Sequence, residues 1–500
     1  MTSFVNGKRF YNADIRGEYL ILSIIFVLAV IVRIYISTIF FGTSAEGYAN
    51  IFLTRNVFES GFISYPDRYM LLFYFLSASL LFIINDAFWA TMIVTTLFGA
   101  GSLLIIYLLA KKIFDRRIAS LLLLLLFLHP EFTIISSMPL KEPVYTFFVF
   151  LGILFLINNQ FMNGATAVGL SFLTRMEALW INMPAYIVST LTIKKYRPLI
   201  CIAAIFILTV LFMNIIANEP YEYITINIGA QNELHPLHFL QLKELPKMIF
   251  LCVGTLLKYL FKFSGFNIFF IGVGMYTLIN SAKKDLKKRI FLIFLSFNSM
   301  FWIMYIFLYG SLLGIGNDRY IHILLPFMIS LLIFGFFAIY DKISGSQRYL
   351  LSSLFIISSL FTFPIYFITQ GRYYYEMSKS NQALTEISEW IKSNIEPTPE
   401  NKILIDGIPF FYMFRSHNDY NLIKIEEVKE KIAGGPDNLL SFIEKEKIEF
   451  VIWNEMDWAC RRFLPYLKKS IVWEGTEGSL IPIETENREA VIYKYVKKVD

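Results

Sequence analysis

EYLILSIIFVLAVIVRIYISTIF, residues 18–40, is the stretch that decides the class of fold. After its opening glutamate it holds a single charge, Arg33, among apolar and small polar side chains. An α-helix of this length crosses the ~30 Å of hydrocarbon in a bilayer. The run is too long for the apolar core of a secretory signal and lacks a small-residue cleavage site behind it. It therefore reads as a retained membrane span, preceded by polar residues 1–17.

The same composition recurs outward from this point. Of the 500 residues, 56% are apolar and 17% charged, where a soluble domain carries roughly a quarter charged. The 50 phenylalanines suit lipid-facing helix surfaces. Further apolar blocks fall at 87–110, 118–132, 143–158, 164–177, 179–193, 198–217, 264–281, 290–309, 320–340 and 348–369. With the first, they predict about eleven spans. Lys111, Lys112, Arg116 and Arg117 follow the second block, Lys194, Lys195 and Arg197 the sixth, and Lys283, Lys284, Lys287, Lys288 and Arg289 the eighth; Lys342 and Arg348 follow the tenth. If Lys8, Arg9 and Arg16 lie in the cytoplasm, every cluster falls on that side, as the positive-inside rule requires. Tyr69–Ile84 reads as an interfacial or re-entrant helix, since counting it as a span would put Lys111–Arg117 outside. Met248–Phe263, with Lys258 and Lys262, reads as an interfacial amphipathic helix.

Beyond Gln370 the pattern changes. Helical periodicity at Ser380–Ile395 and Asn438–Lys447 alternates with strand-like runs at Lys402–Asp406, Ile448–Trp453 and Ala490–Val496. The expectation is a polytopic α-helical membrane protein with a cytoplasmic N-terminus (1–17) and a transmembrane domain (18–369) containing a first outside loop (41–86). A small α/β domain (370–500) follows, placed outside the cytoplasm by the odd number of spans; the plasma membrane is the expected location. A net charge of +6 over this length gives no case for nucleic acid. Cys201, Cys252 and Cys460 are too scattered for a disulfide framework or a CxxC metal site.

Ionisable residues beside the spans carry whatever chemistry there is. In the expected topology four groups share one side: Glu46 with Tyr48, Arg55, Glu59, Asp67 and Arg68; Lys141-Glu142-Pro143; Thr174-Arg175-Met176-Glu177; and Gly316-Asn317-Asp318-Arg319-Tyr320 ahead of Pro326. A carboxylate at the interface can take a proton from an acceptor hydroxyl or hold a metal ion, and arginines can grip a phosphate bidentately. Taken singly, each has an ordinary reading: a solvated loop carboxylate, a headgroup anchor, a local Asp318–Arg319 pair, or Glu142 favouring a helix N-terminus. His235 and His238 read as loop residues, since Pro236 between them spoils a helical ligand pair.

In their order these motifs resemble the GT-C superfamily of membrane glycosyltransferases, in the branch of protein O-mannosyltransferases and the lipid A aminoarabinose transferase. An acid opens a first-loop helix at Glu46-Gly47-Tyr48 and runs through Arg55 to Ser60-Gly61. An apolar juxtamembrane helix, a long second span and a basic turn follow, then Glu142-Pro143, Thr174-Arg175, and Arg319-Tyr320 with Pro326. The resemblance covers roughly residues 18 to 340. The family's first-loop acid is commonly Asp, often doubled, and here it is Glu46 with Gly47. No WWDYG-like motif appears in the C-terminal part, which argues against the oligosaccharyltransferase branch.

The resemblance implies transfer of one sugar, with inversion, from a polyprenyl- or dolichyl-phosphate donor to a protein, lipid or glycan acceptor. It implies Glu46 as general base or as ligand of an optional Mg or Mn ion. Arg55, Arg175, Arg319 and Tyr320 would hold the donor phosphate, and Glu142, Lys141 and Tyr48 would order the site. Two other classes carry similar features: a transporter or flippase of lipid-linked sugars, and a non-catalytic membrane assembly subunit.

Overall fold

The computed structural model describes residues 2–39, 45–60, 71–217, 245–306 and 322–359. Of the C-terminal part it describes mainly 402–405, 421–432, 435–454, 473–474, 478–483 and 490–497. The chain divides into two compact units, one of residues 1–36 and 54–370, the other of 37–53 and 371–500.

Among the described residues every apolar block is mainly helical. The helices are α1 (Thr2–Ile39), α2 (Ala45–Ser60), α3 (Leu71–Leu81), α4 (Ala87–Ile113), α5 (Arg116–Leu128), α6 (Pro130–Ile135), α7 (Glu142–Ile157) and α8 (Phe161–Phe172). Then follow α9 (Glu177–Trp180), α10 (Asn182–Thr192), α11 (Arg197–Ala217), α12 (Leu245–Ser264), α13 (Ile268–Ala282), α14 (Leu286–Tyr305), α15 (Leu325–Tyr340) and α16 (346–359). Among the described residues two segments, Gly17–Thr38 and Ala87–Ile113, are long and apolar enough to cross a bilayer. In α1 the buried residues Leu22, Ala29, Arg33 and Ile36 form one stripe, while Leu20, Ile24, Val27 and Ile31 on the rest of its surface are about half exposed. A helix apolar on its exposed side as well as its buried one suits a lipid solvent.

Several blocks are cut shorter than their apolar runs suggest. The 118–132 block ends as a helix at Leu128, because Pro130 forces the preceding His129 out of the helical region (φ −70°, ψ 119°), and α6 then starts on that proline. The 164–177 block stops at Phe172 and the 179–193 block starts at Asn182. At ~18 Å each, α8 and α10 fall short of a full hydrocarbon core.

The basic turns gather at one end of the bundle. Lys111 at the end of α4 pairs with Glu18 at 2.5 Å, and Tyr107 donates to the same carboxylate at 2.9 Å. Arg117 at the start of α5 reaches Asp341, just past α15, at 3.4 Å. Asp115 and Asp285 cap α5 and α14 by accepting from backbone amides, so each basic turn starts its next helix with a satisfied N-terminus.

α13 runs along α15 with glycine facing backbone on both sides. A Cβ at Gly274 would collide with the carbonyl of Leu331, and one at Gly335 with the carbonyl of Phe270. Close backbone approach through small residues is how membrane helices gain packing without a hydrophobic drive. Gly335→Ala is therefore expected to destabilise the protein by about 1–3 kcal/mol, read as a lower thermal midpoint in detergent. Gly272→Ala, on the same helix as Gly274 but with open space around it, should be nearly neutral.

The second unit contains a six-stranded mixed sheet of order β2-β1-β3-β6-β5-β4. β1 (Lys402–Ile405) lies parallel to β2 (Asn421–Lys424) and β3 (Ile448–Asn454). β6 (Ala490–Lys497), β5 (Gly478–Ile483) and β4 (Trp473–Glu474) continue antiparallel. Helices α17 (Ile425–Ile432) and α18 (Pro436–Glu446) contribute Ile432, Leu440 and Ile443 to a core with Val451, Trp453 and Tyr493.

Candidate functional site

The site is built where α7 begins. Pro143 occupies the first turn of α7, where its missing N–H costs nothing, and Glu142 lies at the positive end of the helix. This entry is fixed to α4: Thr95 Oγ1 donates to the Leu140 carbonyl at 3.3 Å and Ser102 Oγ to that of Pro143 at 3.5 Å. Thr95 lies sixteen residues before Lys111, so the site is ~24 Å along α4 from the basic end.

The turn after α8 brings Arg175 to the same place. The Leu72 amide donates to the Leu173 carbonyl at 2.9 Å, which docks α3, the expected interfacial helix, beside this turn. The Arg175 guanidinium grips Glu177 through two bonds, Nη2 to Oε1 at 2.6 Å and Nε to Oε2 at 3.2 Å, and donates through Nη1 to Glu142 Oε1. Arg175 and Glu142 are buried, at 7% and 3% exposure. Lys141 is buried beside them and feels all three charges, so two cations and two carboxylates balance.

Burial, reinforced by the Arg175 charge, lowers the Lys141 ammonium to a pKa of about 8 against the pull of Glu142 and Glu177. Between that value and the ~10.4 of an unfolded lysine the unfolded chain binds the extra proton. The cost of burying the charge is thus full below pH 8, and stability rises with pH across this window. A cation at Lys141 is present below pH 8 and lost above it. Binding of an anionic ligand at this cluster is expected to weaken as pH rises through 8, and Lys141→Arg, always charged, should flatten that profile in a binding titration.

A small opening adjoins the cluster, lined by Glu142, Arg175 and Glu177 on one side and by Asn298, Trp302 and Tyr305 of α14 on another. Asn182 at the start of α10 links the helices: it donates to the Tyr145 hydroxyl, and Asn298 Nδ2 donates to its Oδ1 at 3.2 Å. A second buried polar group lies nearby in the fold. Arg33 donates to Ser136 Oγ at 2.7 Å, His322 stacks on Phe132 at 4.5 Å, and the His322 Nδ1 meets Thr146 Oγ1 at 3.0 Å.

Of the residues the sequence singles out, Lys141, Glu142 and Arg175 are brought together. Arg55 instead pairs along its own helix with Glu59 at 2.6 Å, both partly exposed, a contact worth little in water. Glu46 and Tyr48 fall in the first turn of α2, their side chains outside the described residues. Arg319 and Tyr320 lie outside them too, as do Asp67, Arg68, Asp318, His235 and His238. Glu177 is singled out in the sequence beside Arg175 but given no role, and Asn182, Asn298, Arg33 and His322 are the residues that reading the sequence misses. Glu177 had a signal, two positions from Arg175; the others depend on which helix faces meet. Among the described residues no three His, Cys, Asp or Glu side chains gather as a metal site, and Glu142 and Glu177 both serve Arg175.

No family model and no curated protein matches this sequence. Solved structures do. ArnT from Cupriavidus metallidurans bound to undecaprenyl phosphate superposes with a TM-score of 0.54 at 10% identity, over 95% of this chain and 98% of that one. AglB, the oligosaccharyltransferase of Archaeoglobus fulgidus, in complex with an inhibitory peptide and a dolichol-phosphate, gives 0.54 at 12% identity over 96% and 74%. The Archaeoglobus fulgidus enzyme in complex with Zn and sulfate gives 0.52 at 12% over 86% and 67%. The chain therefore shares its fold with ArnT and with the Archaeoglobus fulgidus oligosaccharyltransferase. Both kinds of neighbour are multi-span membrane proteins.

Proposed function

We propose that this chain is an inverting glycosyltransferase that moves one sugar from a polyprenyl- or dolichyl-phosphate donor to a protein, lipid or glycan acceptor at the outer membrane face. The observation that carries the reading is the buried charge cluster of Lys141, Glu142, Arg175 and Glu177 beside an open cavity, on a GT-C fold. The solved relatives are bound to undecaprenyl phosphate and dolichol-phosphate, and this supports a lipid-phosphate donor here.

In this reading the acceptor atom attacks the anomeric carbon opposite the phosphate. Its bond to that carbon forms as the carbon–oxygen bond to the phosphate breaks. The acceptor proton passes to the Glu46 carboxylate, which gives that residue its role as base. The polyprenyl phosphate leaves with the bonding pair, its charge stabilised by Arg55, Arg319, Tyr320 and Arg175. Arg175 takes the phosphate by exchanging one of its two carboxylates for it, while a charged Lys141 keeps the cluster neutral below pH 8. About eleven crossings put these groups and the domain after residue 370 on one side of the plasma membrane. That domain takes part in acceptor choice.

The test is sugar transfer by the purified full chain in detergent, with a panel of polyprenyl-phosphate sugars and peptide, lipid and glycan acceptors. Release of polyprenyl phosphate with appearance of an inverted glycoside establishes the activity. Folded protein that consumes no donor with any acceptor sinks the reading in favour of transport of lipid-linked sugars.

A further inference from the structure

Resting on that reading, we infer that the cavity between α7 and α14 is a glycosyl pocket, and that Asn298 is the residue that reads a sugar hydroxyl in it. Three observations converge. Asn298 is 3% exposed. Its amide nitrogen is committed, donating to Asn182 Oδ1 at 3.2 Å and to the Phe294 carbonyl at 2.8 Å. This fixes the orientation of the amide, and its Oδ1 is buried with no partner among the described residues while the side chain lines the cavity. A buried acceptor left unmatched costs free energy, and this one belongs to a side chain that lines the cavity.

The surroundings define the class of donor. Tyr145 also lines the cavity, and its hydroxyl accepts from Asn182, which leaves that oxygen's own proton to donate. An acceptor and a donor are thus presented by one hydrogen-bonded chain, Tyr145–Asn182–Asn298. Phe301, Trp302 and Tyr305, following Asn298 on α14, supply aromatic surface to the same space. Paired acceptor and donor groups set against aromatic rings match a polyhydroxylated ring, with its polar edge and apolar faces. The charges of Glu142, Arg175 and Glu177 cancel with that of Lys141 beside them, and the Tyr145–Asn182–Asn298 chain carries no cation, so this part of the cavity suits an uncharged sugar rather than an anionic one.

The experiment titrates wild type and Asn298→Ala with a polyprenyl-phosphate hexose and, separately, with bare polyprenyl phosphate. The expected result is a loss of about tenfold for the sugar-bearing donor, with bare polyprenyl phosphate bound within about twofold of wild type. Retained binding of the bare lipid also shows that the variant is folded. In a series of monodeoxy donors, one position should lose about tenfold in wild type and nothing further in the variant. If donor binding is unchanged but the KM for a glycan acceptor rises, the pocket holds the acceptor's sugar, and its glycosyl character stands. Equal losses for both ligands, or none for donor and acceptor alike, overturn the inference. Wild type that binds no sugar-bearing donor overturns instead the proposed function on which it rests.

Discussion

Arg175→Ala is expected to destabilise the protein by about 3–5 kcal/mol, the largest loss of stability among these substitutions. The wild-type guanidinium satisfies Glu142 and both oxygens of Glu177 at once, at a site where Arg175 and Glu142 are buried. Removing it leaves two carboxylates facing one another with Lys141 as the nearby cation. Each must then be protonated or hydrated in a space shaped for neither. Lysine is not a substitute: Arg175→Lys keeps the charge but loses the planar fork that spans the two acids, and should recover only part of the stability. A triple variant, Arg175→Met with Glu142→Gln and Glu177→Gln, removes the charges together. It should be more stable than Arg175→Ala while remaining inactive, because the cost lies in the unpaired acids and not in the absence of a salt bridge. Thermal unfolding in detergent reads all four proteins. An unchanged midpoint for Arg175→Ala would mean that water already solvates the cluster and that the guanidinium is not what holds the turn to α7.

The triad also shows what a single sequence reveals. Helices were legible almost everywhere in the first unit, because an apolar block between basic turns has few other readings. Their ends were less so: His129-Pro130 marks the break between α5 and α6, but within a leucine-rich run the eye carries the helix past it. In the sheet unit β1, β3 and β6 stood out through buried apolar residues. β2, with the sequence Asn-Leu-Ile-Lys at 421–424, and the two-residue β4 have too little pattern of their own and are strands because a neighbour pairs with them. Site residues follow the same logic. Lys141, Glu142 and Arg175 could be singled out since a charge beside a span is costly. That Arg55 would be held by Glu59 was also open to reading, as an i, i+4 pair on one helix. Asn182 and Asn298 are 116 residues apart, and nothing in either neighbourhood announces that α10 and α14 face one another.

Glu46→Gln is expected to lower the rate of sugar transfer by about 10²–10⁴-fold while leaving donor affinity near that of wild type. The substitution keeps the size of the side chain and its carbonyl oxygen, and removes only the basicity. Glu46 opens α2 in a first turn ahead of the Arg55–Glu59 pair, so the amide has no reason to disturb the helix. A loss confined to turnover, with KM for the donor held, marks an interaction made in the transition state. If the donor KM rises in step instead, Glu46 orders the bound substrate, and the base must be sought elsewhere. Adding a divalent cation separates the remaining role: a carboxylate acting through a metal would make wild-type transfer depend on the ion and leave Glu46→Gln indifferent to it. A base acting directly gives the same wild-type rate with and without chelator. Normal turnover in Glu46→Gln would leave the transferase class standing and move the chemistry to another carboxylate. Glu177 would then be first in line, since it lines the cavity beside Arg175 and is the most exposed of the three charges that meet there, at 27%.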